Sequence, residues 1–346
     1  MTKFLLSLIL LLSLATPASA LEIEAPEVPR SGAELMPENT ESFGAGLAEL
    51  LRSAVKFIRP DLKEASKVSI TVLSAVMILS ILRTFSGNVK TVSDLAGAAM
   101  IASVLLSNTN SMIQLGVETV QEMSNYGKLL FPVMTAAVAA QGGTTASTAL
   151  YTGTVIFDTI LSSVIAKLLV PMIYLFLALA AANSALGEDL MKKMCDFIKN
   201  ALTWFLKTLL IVFTTYMSIT GVVSGTTDAA VLKATKVTIS SVVPVVGGIL
   251  SDASEAVLVS AGLMKNAAGI YGIFAVLAMI LEPFLRIGIH YLLLKATAAV
   301  CGIFGSKGQT GLIEDFSTAM GLLLAMTGAV CLMLLISTVC FMKGVG

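Results

Sequence analysis

Asp158, Lys167, Glu282 and Arg286 are ionisable residues inside long apolar stretches and are the candidates for intramembrane chemistry. A charge in such a setting is costly in lipid and faces protein or water. Glu282 and Arg286 are four residues apart, one helical turn, so they can neutralise each other as an ion pair. Pro283 between them would free a backbone carbonyl, and the pair then reads alternatively as a polar hinge or gate. Lys167 stands four residues before Pro171 and is a candidate to answer Glu282 from the other half of the chain. Asp158 and Lys167 are nine apart, which puts them on opposite faces of one helix.

Two polar interruptions are the candidate small-ligand positions. The first is Gln141, Gly142, Gly143 and Thr144, followed by Thr145; the second is Ser251, Asp252, Ala253, Ser254 and Glu255. The plain reading of both is a polar surface loop. Enzymatic signals are poor. His290 has no acid at helical spacing and reads as a helix-end residue. Cys195, Cys301, Cys331 and Cys340 lack the paired spacing of a zinc site and read as packed free thiols. No Walker-type phosphate loop occurs, so nucleotide energy would have to come from a partner. The chain is expected to be no enzyme and to need no metal, cofactor or nucleic acid.

The elements that hold these residues are set by hydropathy. The sequence is 56% hydrophobic and 13% charged, against about 25% charged in soluble domains. Apolar stretches fall at 68–82, 91–107, 129–140, 148–182, 201–223, 241–250, 256–264, 268–304 and 318–342. Lipid leaves no partner for bare backbone groups, so apolar stretches of about 20 residues read as spanning helices. The expected fold is an all-α polytopic membrane protein with about six spans. Residues 129–147 and 241–263 are too short and interrupted to span and read as re-entrant hairpins, with 108–128 as an outside loop.

Residues 1–20 read as a secretory signal: Lys3, an apolar core over 4–14, and Ala18-Ser19-Ala20 at the cleavage site. Cleavage would leave Leu21 first, on the outer face. Residues 21–50 carry seven acidic residues and one basic one, with Pro26, Pro29 and Pro37, and read as a flexible acidic arm. From Phe43 to Ile58 apolar residues recur at helical spacing beside Arg52, Lys56, Arg59, Lys63 and Lys67. That is an amphipathic helix for a membrane surface or a partner. The organisation expected is therefore a leader at 1–20, an arm and helix at 21–67, and a membrane domain at 68–346.

Two landmarks recur at an offset of 112: Pro132 with Pro244, and Pro171 with Pro283. An internal duplication would have units near 91–200 and 203–318, a pattern of paired interrupted segments found in transporter folds. Gly269 with Gly272, and Gly321 with Gly328, permit close helix approach. Arg83, Lys90, Lys192, Lys193 and Lys199 lie between spans, Lys295 and Lys307 flank the next turn, and positive loops favour the cytoplasm.

Longer strings carry a family resemblance. They include Thr84-Phe85-Ser86-Gly87, Thr152-Gly153-Thr154-Val155, Ala181-Ala182-Asn183-Ser184-Ala185-Leu186-Gly187 and Trp204-Phe205-Leu206-Lys207-Thr208-Leu209-Leu210. Gly221-Val222-Val223-Ser224-Gly225-Thr226-Thr227-Asp228, Val243-Pro244-Val245-Val246-Gly247-Gly248 and the 251–255 string continue it. Over roughly 30–346 the chain resembles the stage III sporulation protein AE family. The resemblance implies a role in endospore formation, in the mother-cell-derived outer forespore membrane. It implies partners among the other stage III proteins, including a secretion-type ATPase and ring-forming proteins, in a channel-like apparatus between mother cell and forespore. It supplies no catalytic motif. The first functional reading is thus a membrane platform or conduit subunit of that apparatus. The alternative is a stand-alone secondary transporter of a small solute built on the paired hairpins.

Overall fold

The computed structural model describes residues 26–37, 43–85, 90–140, 144–187, 189–219 and 267–344. These residues form helices and no strand. In chain order they are α1 (Arg30–Ala33), α2 (Phe43–Phe85), α3 (Lys90–Ala140), α4 (Thr144–Val164), a π-helical turn (Ile165–Leu169), α5 (Val170–Leu186), α6 (Asp189–Ile219), α7 (Ala267–Phe304) and α8 (Lys307–Gly344). Among the described residues, five helical stretches are long and apolar enough to cross a membrane: Phe43–Leu82, Leu150–Leu186, Leu190–Met217, Gly269–Phe304 and Lys307–Met342. The protein is an all-α polytopic membrane protein.

The axis of the bundle is α8. Of its most apolar stretch 94% is buried inside the protein, against 28% for α6. Helices α3, α4, α5, α6 and α7 all pack on α8, while α2 packs on α3 and α7. A helix apolar on every side belongs in the core. The few hydroxyls that α8 buries are answered largely by backbone. Thr327 and Thr338 donate to Leu323 and Leu334 one turn back, and Ser317 donates to the Tyr291 carbonyl at 3.2 Å.

Local signals explain the helix ends. Ser306 and Gln309 form a reciprocal capping box at the start of α8. The Gln309 N–H donates to Ser306 Oγ and the Ser306 N–H to Gln309 Oε1, both at 3.2 Å. Gly187 ends α5 at φ 69°, a left-handed conformation that glycine adopts without a Cβ penalty. Before Pro171, which has no N–H to offer, the ladder widens: the Val170 N–H bonds five residues back, to Ile165. Pro60, Pro132 and Pro283 lie inside α2, α3 and α7, each removing one ladder bond from a helix that packing holds.

The turns α2–α3, α5–α6 and α7–α8 meet at one end. Ser80 donates to the Phe304 carbonyl, Ser184 donates to the Gly308 carbonyl, and Gly97 lies against Leu79 and Gln309. The basic positions Lys90, Lys192, Lys193, Lys199 and Lys307 belong to the helix segments at this end. Successive rods therefore alternate in direction.

The sequence reading needs correction in the first half of the chain. Residues 108–128, expected as an outside loop, lie wholly within α3. They are polar, yet Met112, Ile113, Val120 and Met123 recur at helical spacing and are buried. No proline or turn cluster interrupts them. Residues 129–140 are the last turns of the same 51-residue helix, about 75 Å long. Thr144 opens the returning α4. The described parts of the first re-entrant segment are thus the end of α3 and the start of α4, two antiparallel helices packed on each other.

The proposed boundary at 67/68 falls inside α2. The end of the acidic arm packs on the bundle: Leu35 is buried, Gly32 lies against Met279, and Phe43 stacks on Phe274 with centroids 5.3 Å apart. Within the proposed duplication, Pro171 follows a π turn whereas Pro283 sits in continuous α-helix. The leader, Gln141, Gly142, Gly143, Pro244 and the 251–255 tip lie outside the described residues, and Thr144 is described only as the first residue of α4.

Candidate polar sites within the bundle

The charged cluster joins α2 to α7. Arg286 Nη2 lies 3.1 Å from Glu64 Oε2, and its Nε lies 3.6 Å from Asp61 Oδ1. The Asp61 side chain is only 12% exposed, the Glu64 side chain 52%, so the pairing with Asp61 carries the structural weight. The expected partner of Arg286 was Glu282. Among the described residues no ion pair joins the two. Both residues stay on α7 despite Pro283 between them, but Arg286 turns across to α2, where two carboxylates compete with one. Sequence reasoning missed Asp61 and Glu64 because the surrounding Arg59, Lys63 and Lys67 masked them in the charge pattern. Their three-residue spacing on one helix face was the available signal.

One turn further along α7, His290 is buried inside the helix. It is therefore no helix-end residue. Its Nδ1 lies 3.0 Å from Asn108 Nδ2 of α3, and its Nε2 has no protein partner. The amide can donate to Nδ1, which puts the ring proton on Nε2.

Asp158 on α4 is buried and accepts from Ser124 of α3 at 2.6 Å through Oδ2. Its Oδ1 and the Thr154 hydroxyl one turn earlier are buried without protein partners. Farther along the same pair of rods, Tyr174 donates to Asn110 Oδ1 at 2.6 Å. Lys167 lies in the π turn, exposed, and forms no ion pair with Glu282 among the described residues. The four intramembrane candidates are thus not gathered at one site. Asp158 belongs to an α3–α4 contact, Lys167 to the outer surface, and Glu282 with Arg286 to the α2–α7 face.

The α4–α6 contact is aromatic. Phe157 packs edge-on against Phe213 at 5.4 Å and tilted against Tyr216 at 5.6 Å. Gly153 makes room for it, because a Cβ there would run into the Tyr216 ring. Gly153→Leu is therefore expected to cost about 1–3 kcal/mol of stability by overpacking. Thermal unfolding of the detergent-solubilised protein checks this. A variant as stable as the parent would show that the two helices do not approach as described. Gly269 plays the same part against Met342 of α8. Cys195, Cys301 and Cys331 are free and buried, Cys340 is buried, and no group of three potential metal ligands occurs among the described residues.

These features define a membrane-embedded helical bundle in which the paired polar groups, Arg286 with Asp61, His290 with Asn108 and Ser124 with Asp158, join its rods. The family model described as Stage III sporulation protein AE matches residues 34–344, and the chain belongs to that family. It is similar to the "Stage III sporulation protein AE" of Bacillus subtilis (strain 168), with 23% identity over 251 residues. That match covers 71% of this chain and 63% of the relative, so it spans less than two thirds of the relative's length. No solved structure matches the chain.

Proposed function

We propose that the protein is a membrane platform or conduit subunit of a sporulation-specific, secretion-like complex that links mother cell and forespore and supports endospore development. Membership of the stage III sporulation family is the observation that carries this reading. Its partners are other stage III proteins, a secretion-type ATPase and ring-forming proteins among them, and its place is the mother-cell-derived outer forespore membrane. The charge pattern supports an orientation with the α2–α3, α5–α6 and α7–α8 turns in the mother-cell cytoplasm. There the exposed Lys192 and Lys193 of α6 offer a contact surface to a cytoplasmic engine. The chain itself carries no Walker-type loop, which fits energy supplied in trans.

Copurification tests the reading. Tagged protein extracted from sporulating cells should bring down the secretion-type ATPase and the ring-forming proteins. Recovery of the chain alone, with solute transport by that purified chain in lipid vesicles, would favour a stand-alone transporter instead.

A further inference from the structure

The surface of α3 is polar at a depth where the rest of the bundle is built for lipid. Every exposed residue between positions 107 and 128 of α3 is polar, and the set includes Gln114, Glu118, Gln121, Asn125 and Lys128. Those five recur at alternating steps of four and three, which lines them up along one side of the helix. The stretch of 22 residues is about 33 Å long, close to the thickness of a hydrocarbon core.

Contacts fix its depth. A Cβ on Gly116 would lie 3.7 Å from both Leu323 and Thr327, and one on Gly127 would lie 2.8 Å from Leu334, so the stripe runs beside the most apolar part of α8. The Ser124–Asp158 bond puts the exposed Ile156 and Ile160 of α4 at the same level. The Phe157–Phe213 contact brings the exposed Ile211 and Val212 of α6 there as well. One side of the bundle therefore presents isoleucine and valine while α3 presents amides and charges. The salt bridges to Arg286, one turn from the His290–Asn108 contact, hold the stretch of α2 that exposes Lys63 and Lys67 beside Leu62 and Ile70 near the Asn108 end of the stripe.

Lipid cannot cover this side, because amide and charged side chains inside a bilayer face protein or water. An apolar partner surface would gain little from it, since the stripe exposes no apolar side chain to bury. We infer that the exposed face of α3 lines a water-filled passage through the membrane. The stripe points away from α8, so one chain supplies one wall and neighbouring subunits complete the rest. This inference deepens the conduit reading and rests on it for its biological meaning.

Thiol labelling in membranes from sporulating cells tests it on the full chain. Gln114→Cys, Gln121→Cys and Asn125→Cys are compared with Ile156→Cys, Ile160→Cys and Ile211→Cys, and the buried native cysteines set the background in the parent. A charged, membrane-impermeant thiol reagent should modify the three α3 positions at least about tenfold faster than the α4 and α6 positions. A lipid-soluble maleimide should reach the α4 and α6 positions, which verifies that those variants are folded and inserted. Protection of the α3 positions from the charged reagent, through cover by lipid or by another protein, would overturn the inference. The result does not depend on copurification: labelling fails with the complex intact if only the passage is misplaced, and succeeds without the complex if only the assembly is wrong.

Discussion

Arg286→Ala should destabilise the solubilised protein by about 3 kcal/mol, the lower end of the cost of breaking a buried ion pair. The lower end applies because the Arg286 side chain is 31% exposed. Loss of the guanidinium strands the Asp61 carboxylate between α2 and α7. Asp61→Asn in the same chain should then restore most of the loss, since the stranded charge is gone. Glu282→Gln should restore little. A pairing within α7, as the four-residue spacing suggests, would give the reverse order of rescue. Thermal unfolding of the four proteins decides between them: equal rescue by both second changes, or no loss in the single variant, would remove the α2–α7 link from the account.

Phe131→Ala should be as costly for a different reason. The ring is 1% exposed and stacks on Phe341 of α8 with centroids 5.7 Å apart and planes 21° from parallel. Its removal leaves a cavity between α3 and α8, worth about 3–5 kcal/mol. Leu129, two residues earlier and 59% exposed, should tolerate alanine with a change within about 0.5 kcal/mol. In a re-entrant arm lining a wet cavity the two positions would differ far less. Similar melting temperatures for Phe131→Ala and Leu129→Ala would therefore contradict the packing of the outer end of α3 on α8.

Hydropathy made the membrane class and most of the rods legible in the sequence, because lipid forces backbone groups into helices wherever a long apolar run occurs. The same signal failed at α3. Residues 108–128 are polar on one side only, and an average over the window hides the buried face made by Met112, Ile113, Val120 and Met123. Hydropathy reports the mean environment of a turn, whereas a helix on a polar passage or interface has two environments at once. The intramembrane charges were legible as single residues, but their partners were not. Arg286 finds Asp61 and Glu64 from 222 and more positions away, and His290 finds Asn108 from 182. Pairings across rods depend on which faces meet, and that follows from the packing of α8 against its neighbours. Local rules read the chain best where they act locally, as at the Ser306–Gln309 box and at Gly187.

The conduit and its orientation require rods that alternate through the bilayer with their basic ends on the cytoplasmic side. Reporter fusions or site-specific labels at Gln141, Lys193 and Ser306 address that arrangement directly in living cells. Lys193 and Ser306 should report from the cytoplasm and Gln141 from the opposite side, whereas a common side for Gln141 and Lys193 would contradict the arrangement.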